Sequence, residues 1–162
     1  MTFLKYLMLF MIALVIVVVV VVGYFFFTAK VTVADCSISG SAATLQPELF
    51  QQIKQYTELD AFQGTLFTDE AIGDAEDYAF ITYTIQLSNQ CLVAVDTIEI
   101  QVIPEDGDVL QIGDYTVHSL DAKTSGSVSA TILTAKNNHS VRDVVITYYV
   151  WGVSFSIEYT CG

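Results

Sequence analysis

The sequence predicts an all-β domain, an antiparallel β-sandwich of about seven strands with a short helical insert, preceded by one N-terminal transmembrane helix. Residues 6–28 contain no charged side chain at all. Beyond Lys30 the chain alternates apolar and polar residues to its end, and all 18 acidic side chains lie in that part. These patterns divide the chain into a stub and membrane anchor, residues 1–30, and one acidic domain, residues 31–162.

The anchor is predicted from the length of the uncharged segment. A membrane-spanning helix needs about 20 apolar residues, whereas the core of a secretory signal has only about 7–15. Tyr6–Thr28 reaches the spanning length, so we expect it to cross a lipid bilayer as a helix. A cleaved signal peptide is the alternative, with Thr32-Val33-Ala34 as the cleavage site. A lipoprotein signal is disfavoured because Asp35, rather than a small residue, precedes Cys36.

The distribution of charge predicts the orientation of the anchor. Lys5 and the amino terminus lie on one side of the segment and Lys30 on the other, a small excess that favours a cytoplasmic N-terminus. Only four basic residues follow Lys30. Three cysteines in a β-rich domain also suit an oxidising exterior. We therefore expect a single-pass plasma-membrane protein with its C-terminal domain outside.

The strands are predicted from hydrophobic alternation. About 130 residues suffice for one core, and period-two segments rich in Val, Ile, Thr, Tyr and Phe are typical of an antiparallel sandwich. Seven such segments are present: Val31–Ser39, Tyr78–Ser88, Asp96–Ile103, Val109–His118, Ser127–Thr134, Asp143–Trp151 and Val153–Cys161.

The last two segments predict a hairpin of defined register. If Trp151-Gly152 is a two-residue turn, the numbers of facing residues sum to 303. Every pair on one face is then apolar or aromatic, whereas a one-residue slip would mix polar and apolar residues. The apolar pairs are Val150 with Val153, Tyr148 with Phe155, Ile146 with Ile157, and Val144 with Tyr159.

One stretch, residues 47–59, departs from the strand pattern. Leu49, Phe50, Ile53 and Tyr56 follow helical spacing, and Pro47 suits a first helical turn. We expect a short helix between the first and second strands. It closes one open end of the core in the favoured interpretation and binds a partner in the alternative.

A family resemblance rests on residues 78–162. Ser88-Asn89 closes one strand before Leu92–Val95, and the polar Lys123–Gly126 turn precedes another alternating strand. This strand–Asn–loop–strand pattern resembles that of bacterial and archaeal membrane-anchored Ig-like surface domains, such as the CARDB-type and LEA14-like sandwiches. The resemblance implies an Ig-like sandwich with a binding or spacing role and supplies no catalytic residues.

Candidates for chemistry are few. His118 and His139 are the only histidines, and neither lies in a zinc-ligand spacing. No serine occupies a nucleophile-elbow context. Asn138 begins a glycosylation sequon. We expect no catalytic residue, no cofactor and no nucleic-acid partner.

Two acidic loops are candidate calcium sites, because calcium takes 6–8 oxygen ligands. The alternative, a solvated acidic surface, is favoured because neither loop has EF-hand spacing. The first loop contains Asp69, Glu70, Asp74, Glu76 and Asp77, and the second contains Glu105, Asp106 and Asp108.

The three cysteines leave at least one without an intramolecular partner. Strand direction places Cys91 at the membrane end of the domain and Cys161 at the opposite end, too far apart for a bond. Cys36 is therefore the expected member of any pair. Cys36–Cys161 is favoured, Cys36–Cys91 is the alternative, and three buried thiols remain possible.

The same strand parity predicts a membrane-proximal end and a distal end. Leu92, Val93 and Trp151 are assigned to the membrane-proximal end, where tryptophan is favoured and carboxylates are repelled. The acidic loops 69–77 and 104–108 and the loop 135–142 are assigned to the distal end.

The predicted function is that of a non-catalytic, envelope-anchored domain with a binding or structural role and an unidentified protein or envelope partner. The alternative is a pilin-like filament subunit whose apolar helix assembles with its copies. Residues 1–30 contain no glutamate of the kind that pilin helices carry, which disfavours this alternative.

Overall fold

The computed structural model describes residues 2–28, 30–114 and 116–162, and Tyr115 of the predicted fourth strand lies outside these ranges. The chain begins with helix α1, Thr2–Phe27. Its segment Phe3–Phe25 is long and apolar enough to span a membrane, with a mean hydropathy of 3.1, and most of its side chains are exposed. This single N-terminal helix fits the predicted anchor.

The rest of the chain is mostly antiparallel β-sheet. One sheet has five strands in the order β1-β3-β7-β5-β2, and the other has four in the order β6-β4-β8-β9. The strands are β1 Val31–Ala42, β2 Gly64–Leu66, β3 Tyr78–Asn89, β4 Val95–Val102, β5 Asp108–Ile112, β6 His118–Leu120, β7 Ser125–Ala135, β8 Arg142–Val150 and β9 Val153–Cys161.

The described residues contain nine strands rather than the predicted seven. The predicted segment Val109–His118 is divided between two strands of different sheets, since β5 pairs with β7 and β6 pairs with β4. Gly113 and Asp114 interrupt the alternation at this point, where the chain crosses from one sheet to the other. The other additional strand, β2, has only three residues, all exposed, and carries no alternation signal.

The main core lies between the two sheets. Ile85 and Ile132 from the five-stranded sheet and Val102 and Ile146 from the other are fully buried in one cluster. Side chains of successive strand residues point to opposite faces, which is why alternate residues supply this core. Burial of each large aliphatic side chain contributes roughly 1.5–3 kcal/mol to stability.

A second core lies on the outer face of the five-stranded sheet. Phe50 and Ile53 of helix α2, Pro47–Glu58, are buried there with Phe80 and Leu133. The helix therefore covers one face of a sheet, whereas the sequence favoured a helix that closes an end of the sandwich. Tyr56, which was predicted to lie on the apolar face, is exposed.

The β8–β9 hairpin has the predicted register, from Val150 opposite Val153 to Val144 opposite Tyr159. Trp151 and Gly152 form its turn with φ angles of 51° and 77°, as a type I′ turn requires at both positions. The apolar face is buried unequally, because β9 lies at the edge of its sheet. Ile146 is fully buried, whereas Ile157 is only half-buried.

We expect Ile146→Ala to lower the free energy of unfolding by about 2–5 kcal/mol, because it opens a cavity in the core. Ile157→Ala should cost less, since solvent already reaches that side chain. Thr147→Ala on the opposite face should change little. Denaturant melts of the full-length protein in detergent measure all three. Equal losses for Ile146→Ala and Thr147→Ala would contradict the burial of only one face.

Candidate functional site

Strand direction gives the domain two ends with different chemistry. The near pole, beside α1, comprises the start of β1 and the loops 90–94, 121–124 and 151–152. The far pole comprises the loops 103–107 and 136–141 with the strand ends that flank them. Four of the predicted functional residues lie at the near pole, namely Cys91, Leu92, Val93 and Trp151.

A buried asparagine builds the near pole. The Asn89 side-chain nitrogen lies 3.0 Å from the Val93 carbonyl oxygen and 3.1 and 2.9 Å from those of Leu120 and Asp121. Its side-chain oxygen accepts a hydrogen bond of 2.8 Å from the backbone N–H of Cys91. One buried amide therefore fastens two loops that each connect the two sheets. In the sequence, Asn89 was singled out only as part of a family-like pattern.

Trp151 occupies the tip of the near pole in an unfavourable backbone conformation. Left-handed geometry costs about 1–2 kcal/mol for residues other than glycine, with asparagine and aspartate the least penalised. The indole ring packs edge-to-face against Phe25 of α1, with centroids 5.6 Å apart. Leu92 is half exposed on the neighbouring loop, whereas Val93 packs against the main core.

Two of the three cysteines join an edge strand of one sheet to an edge strand of the other. Cys36 of β1 and Cys161 of β9 form a disulfide with a Cα–Cα distance of 5.7 Å, which closes one side of the sandwich. Cys91 is a free thiol and is only 1% exposed. The structure therefore contains the first of the two pairings that the sequence left open.

A buried ion pair organises the far pole. The Arg142 guanidinium donates hydrogen bonds of 2.7 and 2.8 Å to the two carboxylate oxygens of Asp108. Both side chains are completely buried. A third Arg142 nitrogen donates to the carbonyl oxygens of His139 and Val141. The only arginine of the chain therefore connects the first residues of β5 and β8, which belong to opposite sheets.

The pKa values reflect this pairing. Burial alone would raise the pKa of Asp108, but the hydrogen bonds from Arg142 and from the Glu105 backbone outweigh it and lower the pKa below its ordinary value. Burial raises the pKa of Tyr83 to about 12. The Tyr83 hydroxyl donates to the Ser140 carbonyl oxygen at 2.9 Å, which ties the far-pole loop 136–141 to β3 of the five-stranded sheet. The pair is thus charged and the phenol neutral at physiological pH.

The outer layer of this cluster is half open to solvent. The Glu105 carboxylate lies 2.9 Å from His139 Nε2 and 3.3 Å from Arg142 Nη1. Asn138 donates to the Asp106 carbonyl oxygen at 2.8 Å. The acidic loop 104–108 is therefore folded around Arg142, and the sequence interpretation of a calcium-binding or freely solvated loop missed this partner. One feature of the sequence could have indicated this partner: the chain has a single arginine and 18 acidic residues.

The remaining calcium candidates are not assembled. Asp69, Glu70, Asp74 and Asp77 are all exposed. Within residues 2–28, 30–114 and 116–162, no group of three or more acidic, histidine or cysteine side chains is placed to hold a metal ion.

An open cleft of about 370 Å³ lies beside β4 and the start of β6. The rim includes His118, whose Nε2 is 2.6 Å from the Asp114 carboxylate. Thr97, which has a φ of 49°, forms a bulge in β4 at this cleft. In the part of the chain that the structure describes, every buried side-chain nitrogen and oxygen has a hydrogen-bond partner.

Comparison with known proteins identifies no family. No family model and no curated protein matches the chain. Among solved structures, it is similar to the cupredoxin domain of amoB from Nitrosocaldus yellowstonii, with 11% identity, a TM-score of 0.34, and 83% of this chain and 88% of that chain covered. The class that the fold defines is a β-sandwich-like domain behind one apolar helix long enough to span a membrane.

Removal of the disulfide should destabilise the domain. The bridge closes a separation of 125 residues, so Cys36→Ala with Cys161→Ala is expected to cost about 4–5 kcal/mol. Cys91→Ala is the matched control and should cost less. Iodoacetamide followed by mass spectrometry should label no cysteine in the native protein and one after denaturation without reductant. Labelling of three cysteines would contradict the bridge.

Arg142→Leu should lower the free energy of unfolding by about 3–5 kcal/mol, because it leaves the Asp108 carboxylate buried and unpaired. The double variant R142L/D108L should recover most of this loss. His118→Ala, which removes an exposed pair, should cost less than about 1 kcal/mol. Denaturant melts at neutral pH compare the three variants, and a double variant as unstable as R142L would contradict the pairing.

The same ion pair predicts an acid dependence. Folding lowers the pKa of Asp108, so the ionised carboxylate stabilises the folded protein. This contribution to the free energy of unfolding is complete above about pH 4, the pKa of an unfolded aspartate, and is lost as the pH falls through the lower pKa of the folded state. The stability of the wild type should therefore fall more steeply below pH 4 than that of R142L/D108L. If the free energy of unfolding fell equally with pH in the wild type and in R142L/D108L, the acid dependence would not originate in this ion pair.

Proposed function

We propose that the chain is a single-pass, envelope-anchored Ig-like domain with a binding or structural role and without catalytic activity. The observation that carries this proposal is the junction of α1 and β1. The apolar helix ends at Phe27 and the first strand begins at Val31. A helix of this length and composition followed at once by a folded domain fits a protein held at a membrane surface.

The order of the long strands supports the Ig-like assignment. Constant-type Ig domains have sheets with strand orders ABED and CFG. If β1, β3, β4, β5, β7, β8 and β9 are named A to G in chain order, the sheets read ABED and CFG. The resemblance to CARDB-type and LEA14-like modules is part of this proposal. The short strands β2 and β6, helix α2 and a bridge between the first and last strands are departures from the Ig pattern.

The proposed location is the plasma membrane, with the N-terminus in the cytoplasm and residues 31–162 outside. A disulfide between β1 and β9 supports an oxidising compartment. The scarcity of basic residues after Lys30 supports translocation of the domain.

A pilin-like subunit is the second candidate. It is favoured by the side chains of α1, which are exposed along most of the helix and could pack against copies of the same helix in a filament. The absence of glutamate from residues 1–30 opposes it.

Fractionation of cells that express the full-length protein tests the proposal. An anchored domain should remain at full length in carbonate-washed membranes, and protease added outside intact cells should remove the domain. A shortened chain recovered in filaments from the medium would favour the pilin-like candidate. Protection from external protease until the cells are broken would overturn the orientation.

A further inference from the structure

We propose that the near pole is a lipid-contacting surface whose partner is the interfacial layer of the membrane that α1 crosses. Trp151 is the residue that enters this layer. The proposal rests on the proposed function, because it requires α1 to span the bilayer.

The first argument is the length of the connection. Only residues 28–30 separate α1 from β1, and a chain extends by at most about 3.3–3.6 Å per residue. The 26 residues of α1 measure about 39 Å at 1.5 Å per residue, whereas the hydrocarbon core is about 30 Å thick. The helix therefore ends within the headgroup layer, and the connection keeps the start of β1 within about 14 Å of the end of the helix.

The second argument is the position of Trp151. Its ring contacts Phe25, which is the last residue of the apolar segment Phe3–Phe25. A side chain in contact with the end of a membrane span lies at the boundary between lipid and water, where tryptophan is enriched. Asparagine or glycine would adopt this left-handed conformation with less strain. The turn nevertheless has a tryptophan there, in an unfavourable backbone conformation.

The third argument is the character of the surrounding surface. Leu92 and Val153 are 51% and 45% exposed beside Trp151. The near-pole loops contain one carboxylate, Asp121, and one ammonium group, Lys123. Asp96 follows at the start of β4, opposite Tyr149, whereas the cluster of Glu105, Asp106 and Asp108 lies at the far pole. A leaflet that contains anionic lipids repels carboxylates, so the near pole is the end of the domain that can approach it.

Depth-dependent quenching of tryptophan fluorescence tests the proposal, because Trp151 is the only tryptophan. The full-length protein is reconstituted in phosphatidylcholine vesicles whose acyl chains carry bromine either near the headgroup or near the chain end. We expect about a twofold loss of emission with bromine near the headgroup and less with bromine near the chain end, as for an interfacial ring. Vesicle flotation is measured on the same samples.

A matched control moves the fluorophore to the opposite pole. In the variant W151N/L45W, asparagine preserves the type I′ turn, and the new tryptophan replaces the exposed Leu45, which follows β1 at its far end. Its emission should be insensitive to brominated lipid and accessible to acrylamide.

Three results would overturn the proposal. Emission from Trp151 that is insensitive to brominated lipid but accessible to acrylamide would show a near pole that stands clear of the bilayer. Emission that is insensitive to both quenchers would show a ring covered by protein, either by this domain or by a second copy. A protein that fails to float with the vesicles would overturn the anchor itself, whereas flotation without quenching would overturn only the lipid contact.

Discussion

The buried Arg142–Asp108 pair is the constraint on which the far half of the domain depends. Two opposite charges removed from water are stable only while they face each other with their hydrogen bonds complete. Here the guanidinium belongs to β8 and the carboxylate to β5, so the two sheets must keep their relative position. The loops between them must also fold back, because carbonyl oxygens of the 136–141 loop satisfy the remaining guanidinium nitrogen.

At the near pole the loops are fastened by a neutral side chain instead of an ion pair. Asn89 fastens the near-pole loops through its amide, which carries no charge. The disulfide then closes the side of the sandwich where β1 and β9 are both edge strands. An ion pair, an amide and a covalent bond thus each stabilise a different boundary of the same core.

Features that depend on neighbouring residues could be predicted from the sequence, and features that depend on distant ones could not. The β8–β9 register follows from two alternating strands around Trp151-Gly152. The sheet face that α2 covers was not identified from the sequence. Adjacent apolar residues such as Phe80 and Ile81 could have indicated it, because they are typical of a strand buried on both faces. The partner of Arg142 lies 34 residues away, and only the sheet topology brings it into contact.

The disulfide also determines how the domain transmits mechanical load. A pull on Gly162 passes through Cys161 directly to Cys36, which lies in the first strand after α1. The force then reaches α1 through residues 31–35, and the strands between β1 and β9 lie outside its path. Tension between Gly162 and α1 is therefore carried by a covalent bond and a short stretch of extended chain. Reduction of that bond would transfer the load to the hydrogen bonds between β9 and β8.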